Sequence, residues 1–298
     1  MERYEIRGRA AREQILSMLP GDWSFEGKRV LDFGCGAGRT LRHFLGEAEV
    51  AGFWGADIDG ASIDWVKENL SPPIEALRCD QVPPIPSREG NFDLIYAISV
   101  FTHLTDSWSQ WLLELHRLLR DDGILIATYA GKDVAPRINE DWDEDRIGMN
   151  VLRTWQSWDE GGPVVLHSDW WISAHWSRAF EILEVRPPSE ISDALGPQTW
   201  VLMRKRSGNF TTAGLESLEP GEEREVRAMR HNISQLHAEA SEQNHVLNSE
   251  IEALRRESKK LHRMLDGVTS SRSWRIMRPL RALAGRWRER QSAKSSNR

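Results

Sequence analysis

Short apolar runs alternate with helical patterns through the first two thirds of the chain. The runs cover residues 30–33, 53–58, 76–79, 92–98, 124–129, 182–185 and 199–203. Such an alternation is typical of an α/β fold in which helices cover a parallel sheet. The pattern therefore predicts a seven-stranded sheet with helices on both faces across residues 25–206, preceded by an N-terminal helix within residues 1–24.

The long segment at residues 130–180 has weak periodicity and is rich in tryptophan. Loops of that length are usually functional lids or binding regions. The tryptophans are Trp142, Trp155, Trp158, Trp170, Trp171 and Trp176. Indole rings pack against sugar rings and donate hydrogen bonds to hydroxyls, and they also fill protein cores. A sugar acceptor is therefore one of two hypotheses for this segment, and a tryptophan core is the other.

After a linker at residues 207–221, apolar residues recur at alternating steps of three and four. The stripe runs through Val226, Met229, Ile233, Leu236, Ala240, Leu247, Ile251, Leu254, Leu261, Leu265 and Val268, with Gln243 and Ser258 at two further positions. This heptad pattern, with one stutter after Leu247, predicts a coiled coil over residues 222–267 that joins copies of the chain into a homo-oligomer. Isoleucine and leucine in the stripe favour two strands, whereas the two polar positions leave three strands open.

Charge is distributed unevenly between the body of the chain and its tail. The net charge is −6, but residues 268–298 hold nine Lys and Arg against the single acid Glu289. The acidic remainder argues against a nucleic-acid partner. Trp274, Met277 and Leu280 recur at helical spacing among the arginines. This pattern predicts a basic amphipathic tail that contacts anionic lipid headgroups, and the alternatives are a solvated tail without structure or an arm that binds nucleic acid.

Cysteine content and hydropathy favour a cytoplasmic protein. Cys35 and Cys79 are the two cysteines, too few for a disulfide framework. No stretch approaches the roughly 18 uncharged apolar residues of a membrane span, and the charged first 20 residues lack the apolar region of a signal peptide. We therefore expect a cytoplasmic protein whose basic tail can reach the inner face of the membrane.

A glycine-rich turn follows the first predicted strand. Residues 30–39 read VLDFGCGAGR, an apolar strand that leads into Gly34, Gly36 and Gly38 and then into a helix predicted to begin near Thr40. Glycines let a ligand approach the backbone closely, and a helix N-terminus adds exposed N–H groups. Arg39 stands where the nicotinamide dinucleotide fingerprint requires its last glycine, which disfavours that cofactor.

Further motifs follow in order, each near an end of a predicted strand. Asp57 ends the second strand, Asp80 follows the third, FDLIYA at 92–97 forms the fourth, and LLRDDGIL at 118–125 leads into the fifth. Together with the D-x-G-x-G-x-G turn, this series resembles the class I S-adenosylmethionine-dependent methyltransferases. The resemblance implies a Rossmann-like fold that binds S-adenosylmethionine. The cofactor contacts that it implies are Asp32, Gly34, Gly36, Gly38, Asp57, Ile58, Asp80 and Ser99.

Within this resemblance the two strand-end acids have distinct roles. The acid at Asp57 would accept hydrogen bonds from both ribose hydroxyls, because a carboxylate offers two acceptor oxygens. The acid at Asp80 would meet the adenine amine. Asp59, close to the same strand end, is interpreted as a solvated turn acid.

Methyl transfer needs an in-line nucleophile, and a general base matters mainly when the acceptor is a hydroxyl. His103, which follows the fourth strand, and His167, in the tryptophan-rich segment, are the candidate bases. Each also fits a structural histidine, because imidazole makes ordinary buried hydrogen bonds. The acidic run at residues 140–145 lacks the glycine of a calcium loop, since Arg146 stands in its place, so no metal site is predicted.

The sequence S-x-S-W-R-x-x-x-P-L-R at residues 271–281 resembles the tails of bacterial glycosyltransferases and methyltransferases from cell-surface polysaccharide assembly. The resemblance implies O-methylation of a sugar hydroxyl on a surface glycan, with a glycosyltransferase as a partner. Two other function classes stay open: a small-molecule O- or N-methyltransferase, and a noncatalytic scaffold that gathers glycosyltransferases. The intact glycine turn together with Asp57 speaks against the scaffold.

Overall fold

The computed structural model describes residues 2–276, which form two compact units. The first unit is Met1–His237 and the second begins at Ala238. The strands are β1 (Arg29–Phe33), β2 (Gly52–Asp57), β3 (Ile74–Arg78), β4 (Phe92–Ala97), β5 (Leu119–Tyr129), β6 (Met149–Leu152), β7 (Val164–His167), β8 (Phe180–Arg186) and β9 (Thr199–Lys205). The α-helices are α1 (Glu2–Met18), α2 (Gly60–Asn69), α3 (Trp108–Leu118), α4 (Asp169–His175), α5 (Thr212–Glu216), α6 (Arg224–Ser270) and α7 (Arg272–Ile276).

Seven strands form the central sheet in the order β3-β2-β1-β4-β5-β9-β8. The pairings from β3 to β5 are parallel, and β9 runs antiparallel to both β5 and β8. The predicted seven-stranded, Rossmann-like sheet is thereby confirmed. Strand order reverses beside β1, whose neighbours are β2 and β4, and open α/β sheets bind ligands outside the carboxyl ends of strands at such a switch point.

Helices cover both faces of the sheet because successive strand residues point to opposite sides. On one face, Leu31 of β1 belongs to the core cluster that contains Trp111 and Leu115 of α3. On the other face, the adjacent Val30 lies in a separate cluster with Ile15 of α1. The alternation of buried residues therefore explains how one sheet supports two cores.

Local structure departs from the sequence prediction at two points. The predicted helix after the glycine turn is a short 3-10 turn at Leu41–Phe44. The segment at residues 130–180 is folded rather than an open loop, since β6 and β7 pair antiparallel and α4 follows them. Of its tryptophans, Trp170, Trp171 and Trp176 are buried, whereas Trp155 and Trp158 are exposed. Core packing and surface exposure therefore both occur in this segment.

The helix predicted after the linker is present as α6, and its first turns pack on the rest of the first unit. Glu225 and Ala228 are buried. Asn232 Oδ1 accepts a hydrogen bond from the backbone N–H of Val151 at 3.0 Å, and Asn150 donates to Gln235 at 2.9 Å. The first turns of α6 are thus attached to the hairpin of β6 and β7.

The predicted linker and tail are only partly described by the structure. Residues 207–221 contain α5, whose Leu215 is buried. The predicted tail at residues 268–298 includes the end of α6 and α7, and residues 277–298 lie outside the described part of the chain. Among the described helices, none has the length and apolar character needed to cross a membrane.

Candidate functional site

The glycine turn after β1 requires glycine at each of its three glycine positions. Gly34, Gly36 and Gly38 have φ angles of 80°, 51° and 68°, in the left-handed region that other residues rarely adopt. A Cβ at Gly34 would lie 2.4 Å from a methyl group of Val100, whereas a Cβ at Gly36 would meet nothing within 4 Å. The backbone at Gly36 therefore faces open space that a ligand can fill.

Asp57 links the end of β2 to this turn. Its Oδ2 accepts a hydrogen bond from the backbone N–H of Gly36 at 2.7 Å, and its Oδ1 accepts one from the N–H of Asp59 at 2.8 Å. A carboxylate has about four acceptor sites, so each oxygen of Asp57 can still accept a hydrogen bond from a hydroxyl group. Asp57 thus orders the turn and keeps acceptors for a ligand.

Asp59 has a structural role that the sequence interpretation did not assign. It is the N-cap of α2, where Oδ1 accepts a hydrogen bond from the N–H of Ala61 at 3.1 Å and Oδ2 accepts one from the Ser62 hydroxyl at 2.6 Å. Capping satisfies N–H groups that the first helical turn leaves unpaired. Asp59 is therefore a matched control for Asp57.

Two cavities meet at the glycine turn. The first, of about 340 Å³, is lined by side chains that include Asp57, Ile58, Ser99, His103 and Trp158. The second, of about 370 Å³, is lined by residues that include Tyr4, Asp32, Gly36 and Arg39. Gly34 and Ile98 line both cavities. An elongated ligand can therefore cross the turn from one cavity to the other.

The N-terminal helix contributes to the second cavity. The Tyr4 hydroxyl of α1 donates a hydrogen bond to the carbonyl oxygen of Ala37 at 3.3 Å. Burial raises the pKa of Asp32 well above its ordinary value, against the opposing influence of the Tyr96 hydroxyl, and the nearby Asp57 raises it further. A positively charged group in this cavity would favour the ionised form of Asp32.

Ser99 follows β4 in a left-handed conformation with φ of 61° and belongs to a polar network. Its backbone N–H donates to the hydroxyl oxygen of Thr128 at 2.8 Å, and Gln198 Nε2 donates to its Oγ at 2.9 Å. The Thr128 hydroxyl in turn donates to Gln198 Oε1 at 2.6 Å. This network fixes the chain where it enters the first cavity.

The structure places Asp80 outside the first cavity. Asp80 is exposed, whereas its neighbours Cys79 and Gln81 line the cavity wall. The indole N–H of Trp111 donates to the Gln81 carbonyl oxygen at 3.2 Å and fixes this strand end. Gln81 was not predicted as a site residue, and its only signal in the sequence is its position one residue beyond Asp80.

His103 lies in the first cavity with a defined tautomer. Its Nδ1 is 2.8 Å from the carbonyl oxygen of Pro163. A carbonyl only accepts hydrogen bonds, so Nδ1 carries the proton and a neutral His103 has its lone pair on Nε2. The backbone N–H of Val165 donates to the Thr102 carbonyl at 2.8 Å and holds β7 beside this loop.

His167, the second candidate base, does not line the first cavity. Its side chain has no exposed surface and is surrounded by Tyr129, Trp171 and Trp176. Neither ring nitrogen has a hydrogen-bond partner among the described residues. A base must come within hydrogen-bond reach of the proton that it removes, so the structure gives no support to a catalytic role for His167.

Burial of His167 predicts a specific dependence of stability on pH. Burial lowers the pKa of His167 from 6.5 to about 3. Between these values the unfolded chain binds the proton and the folded chain does not, so this residue reduces stability progressively as pH falls below 6.5. At pH 5.5 the expected cost is about 1.4 kcal/mol, and at pH 7.5 it is close to zero.

His167→Phe removes this titration. The free energy of unfolding is measured with urea at pH 7.5 and at pH 5.5. From the higher to the lower pH, that of the wild type should fall by about 1.4 kcal/mol more than that of the variant. An equal fall in both proteins would show that His167 is not held neutral.

The acidic run at residues 140–145 forms local contacts. Trp142 donates its indole N–H to Glu144 at 2.9 Å, and the side chain of Asp143 accepts a hydrogen bond from the N–H of Asp145 at 3.0 Å. Across the described residues 2–276, no group of three or more His, Cys, Asp or Glu side chains has the arrangement of a metal site.

The chain is similar to known methyltransferases in sequence. A family model described as a methyltransferase domain matches residues 3–181. Phthiotriol/phenolphthiotriol dimycocerosates methyltransferase 1 of Mycobacterium ulcerans (strain Agy99) is 30% identical over 126 residues, which make up 41% of this chain and 44% of that protein. The match thus spans less than half the length of that relative.

The chain is also similar to solved structures, and the first of the two below shares its fold. An S-adenosylmethionine-dependent methyltransferase from Mesorhizobium loti is 18% identical with a TM-score of 0.51, and the match covers 66% of this chain and 100% of that one. The 1,6-didemethyltoxoflavin-N1-methyltransferase of Burkholderia thailandensis, solved with S-adenosylhomocysteine, is 16% identical with a TM-score of 0.48 and coverages of 68% and 80%. Because the family model spans more than half of the chain, the chain belongs to the methyltransferase-domain family.

Proposed function

We propose that this methyltransferase O-methylates a hydroxyl of a neutral sugar acceptor in the first cavity, with His103 Nε2 as the general base. The observation that carries the proposal is the contact of Nδ1 with the Pro163 carbonyl, which directs the lone pair of neutral His103 to Nε2. A hydroxyl nucleophile must lose its proton, and a positioned base that accepts it accelerates such a step.

The residues of the glycine turn fit the cofactor. The open space at Gly36 admits a ligand against the backbone, and Asp57 retains acceptor sites for two ribose hydroxyls. We assign Asp32, in the second cavity, to the positively charged end of the cofactor. Four further residues are assigned to the walls of the cofactor site, namely Gly34, Gly38, Ile58 and Ser99. When bound, S-adenosylmethionine supplies a methyl group on a sulfonium centre.

Replacement of Gly36 by alanine tests whether the cofactor lies against the glycine turn. The left-handed φ costs a non-glycine residue about 1–2 kcal/mol, and the new methyl group occupies the space assigned to the cofactor. Gly90 is a matched control, because its φ is 61° and a Cβ there also meets nothing within 4 Å. Both variants should lose similar stability in urea unfolding, but only Gly36→Ala should lose S-adenosylhomocysteine binding by calorimetry. Equal binding in the two variants would contradict the assignment.

The acceptor class rests on the exposed indole of Trp158 at the first cavity, since indole rings pack well on sugar rings. The competing class is a lipid of the kind named for the Mycobacterium ulcerans relative. Transfer of labelled methyl groups to methyl glycosides and to long-chain alcohols, each assayed with the full chain, distinguishes them. Methylation of the alcohols alone would refute the sugar proposal.

A homo-oligomer through α6 is the second part of the proposal. In the second unit Ile251, Leu254, Leu261 and Leu265 are between 43% and 65% exposed at heptad spacing. If Ile251 occupies an a position, Glu250 occupies g and Arg255 occupies the following e position. In a parallel pair of helices, Glu250 would then lie beside Arg255 of a second copy, and such g-to-e pairs help to set orientation.

Leu254→Asp should therefore separate the copies, because an aspartate in the core leaves a charge without a partner. Arg256→Asp, on the opposite face of the helix, is the control. In analytical ultracentrifugation the wild type and the control should sediment as an oligomer, and Leu254→Asp as a monomer. A monomeric wild type would contradict the proposal.

We propose that the protein is cytoplasmic and that its basic tail binds the inner face of the membrane. We also propose that the same part of the chain binds a glycosyltransferase. The support is the charge of residues 268–298, which complements anionic headgroups. These assignments remain predictions from the sequence.

A further inference from the structure

A third cavity, of about 430 Å³, lies within the first unit and is not used by the proposed cofactor site. Its walls come from the loop after β4, from α4 and from the first turns of α6, and they include Thr105, Asp106, Trp108, Trp171, Met229 and Asn232. Its volume falls within the range of about 300–1,000 Å³ that is typical of ligand sites.

The third cavity adjoins the first. Thr105 lines both cavities, and His103 lies two residues before it in the same loop. An acceptor whose hydroxyl lies at His103 could therefore extend around Thr105 into the third cavity. The shared residue makes the third cavity a candidate for the next unit of an extended acceptor.

The charges of the third cavity exclude an anionic ligand. Asp106, Glu216 and Glu225 contribute carboxyl groups, and the described residues of its lining include no Lys or Arg. His175 is engaged internally, since Nδ1 donates to the Leu215 carbonyl at 2.6 Å and Nε2 contacts Glu225 at 2.8 Å. A phosphate or carboxylate would meet repulsion without a compensating cation.

The walls combine apolar surface with polar groups that have no internal partner. Trp108, Trp171 and Met229 supply the apolar part. The carboxylate of Asp106 and the hydroxyl of Thr105 make no side-chain hydrogen bond to the described residues, so they remain available to a ligand. A pyranose ring presents the same combination, an apolar face of C–H groups and an edge of hydroxyls.

We infer that the third cavity binds a neutral sugar unit that is linked to the unit methylated in the first cavity. This inference rests on the proposed function and specifies its acceptor as an oligosaccharide rather than a single sugar. It also explains the docking of α6, because Ala228 and Met229 form one wall and the Asn232 contact with Val151 holds that wall in place.

Met229→Trp tests the inference by filling the cavity from its exposed side. Met264→Trp is the matched control, since it makes the same change on the same helix at a residue of similar exposure, 60% against 52%. The probes are methyl glycosides of neutral disaccharides built from glucose, mannose, galactose and rhamnose, which can reach the first and third cavities together. The methyl glycosides of the single sugars, which need only the first cavity, and a disaccharide that contains glucuronic acid serve as comparisons. Their contact with the 298-residue chain is measured by saturation-transfer NMR with S-adenosylhomocysteine present.

At least one neutral disaccharide should bind the wild type and Met264→Trp, and Met229→Trp should weaken its binding by about tenfold, the equivalent of about 1.4 kcal/mol, without weakening the binding of the single sugars. Asp106→Asn, which keeps the shape of the cavity, should also weaken binding of the disaccharide. Binding of no neutral disaccharide, disaccharide binding that Met229→Trp leaves unchanged, or a preference for the disaccharide with glucuronic acid would overturn the inference. Failure of the proposed function is separate, because it appears as loss of S-adenosylhomocysteine binding or of methyl transfer in the wild type.

Discussion

Replacing His103 with alanine should lower methyl transfer to a hydroxyl acceptor by about 100- to 10,000-fold, the usual contribution of a general base. The reason is the loss of Nε2, whose lone pair is set by the Nδ1 contact with Pro163. The affinity for S-adenosylhomocysteine should change little, because the proposed function assigns His103 to the acceptor and Asp57 to the cofactor. The measurement is single-turnover transfer of a labelled methyl group, with cofactor binding followed by calorimetry.

Two comparisons separate a base from a structural histidine. Added imidazole should restore part of the rate in His103→Ala, because a small base can occupy the vacated space. His103→Gln, which keeps a polar side chain but supplies no comparable base, should remain as slow as the alanine variant. Full activity in either variant would remove His103 from the proton transfer, and a loss that imidazole does not restore would assign it to positioning the loop.

Replacing Asp57 with alanine should weaken S-adenosylhomocysteine binding by about 100-fold or more. The variant loses the ribose acceptors and also the hydrogen bonds from the N–H groups of Gly36 and Asp59. A hydrogen bond to a charged group contributes about 1.5–3 kcal/mol. Loss of the two hydrogen bonds to the ribose hydroxyls therefore exceeds the roughly 2.7 kcal/mol that corresponds to a 100-fold change in affinity. Calorimetric titration of the folded variant measures the change.

Asp59→Ala is the control for Asp57→Ala. The control removes the N-cap of α2 and should lower the free energy of unfolding by about 1 kcal/mol, while its cofactor affinity stays near that of the wild type. If both variants lost the same affinity, the effect of Asp57→Ala would reflect general damage to the end of β2 rather than lost ribose acceptors.

The fold could be predicted from the sequence because its signals are local. Apolar runs marked the seven strands, and the three glycines of the turn adopt the left-handed conformations that explain their identity. Asp57 could be placed for the same reason, since it ends a strand beside that turn. Each of these features depends on a few neighbouring residues.

The remainder of the site depends on contacts between distant parts of the chain. Ser99 meets Gln198 across 99 residues, and His103 meets Pro163 across 60. No short pattern records such pairs. Burial separates the two candidate bases, because His103 lines the first cavity and His167 lies among aromatic rings.

The tryptophan-rich segment shows a related limit. The exposed Trp155 and Trp158 lie in the loop between β6 and β7, whereas the buried Trp170 and Trp171 lie in α4, so tertiary structure rather than sequence spacing sets their environments. The docking of Glu225 against His175, 50 residues apart, likewise gave no signal in the heptad pattern. The walls of the third cavity consequently became apparent only in three dimensions.

Calorimetric titration of the 298-residue chain with S-adenosylhomocysteine tests the cofactor site most directly. We expect one site per chain with a dissociation constant on the order of 1–100 μM, a binding free energy of roughly −5 to −8 kcal/mol. Absence of binding to protein that is shown to be folded would contradict the assignment of the glycine turn and Asp57 as a cofactor site, and would favour a noncatalytic role for the chain.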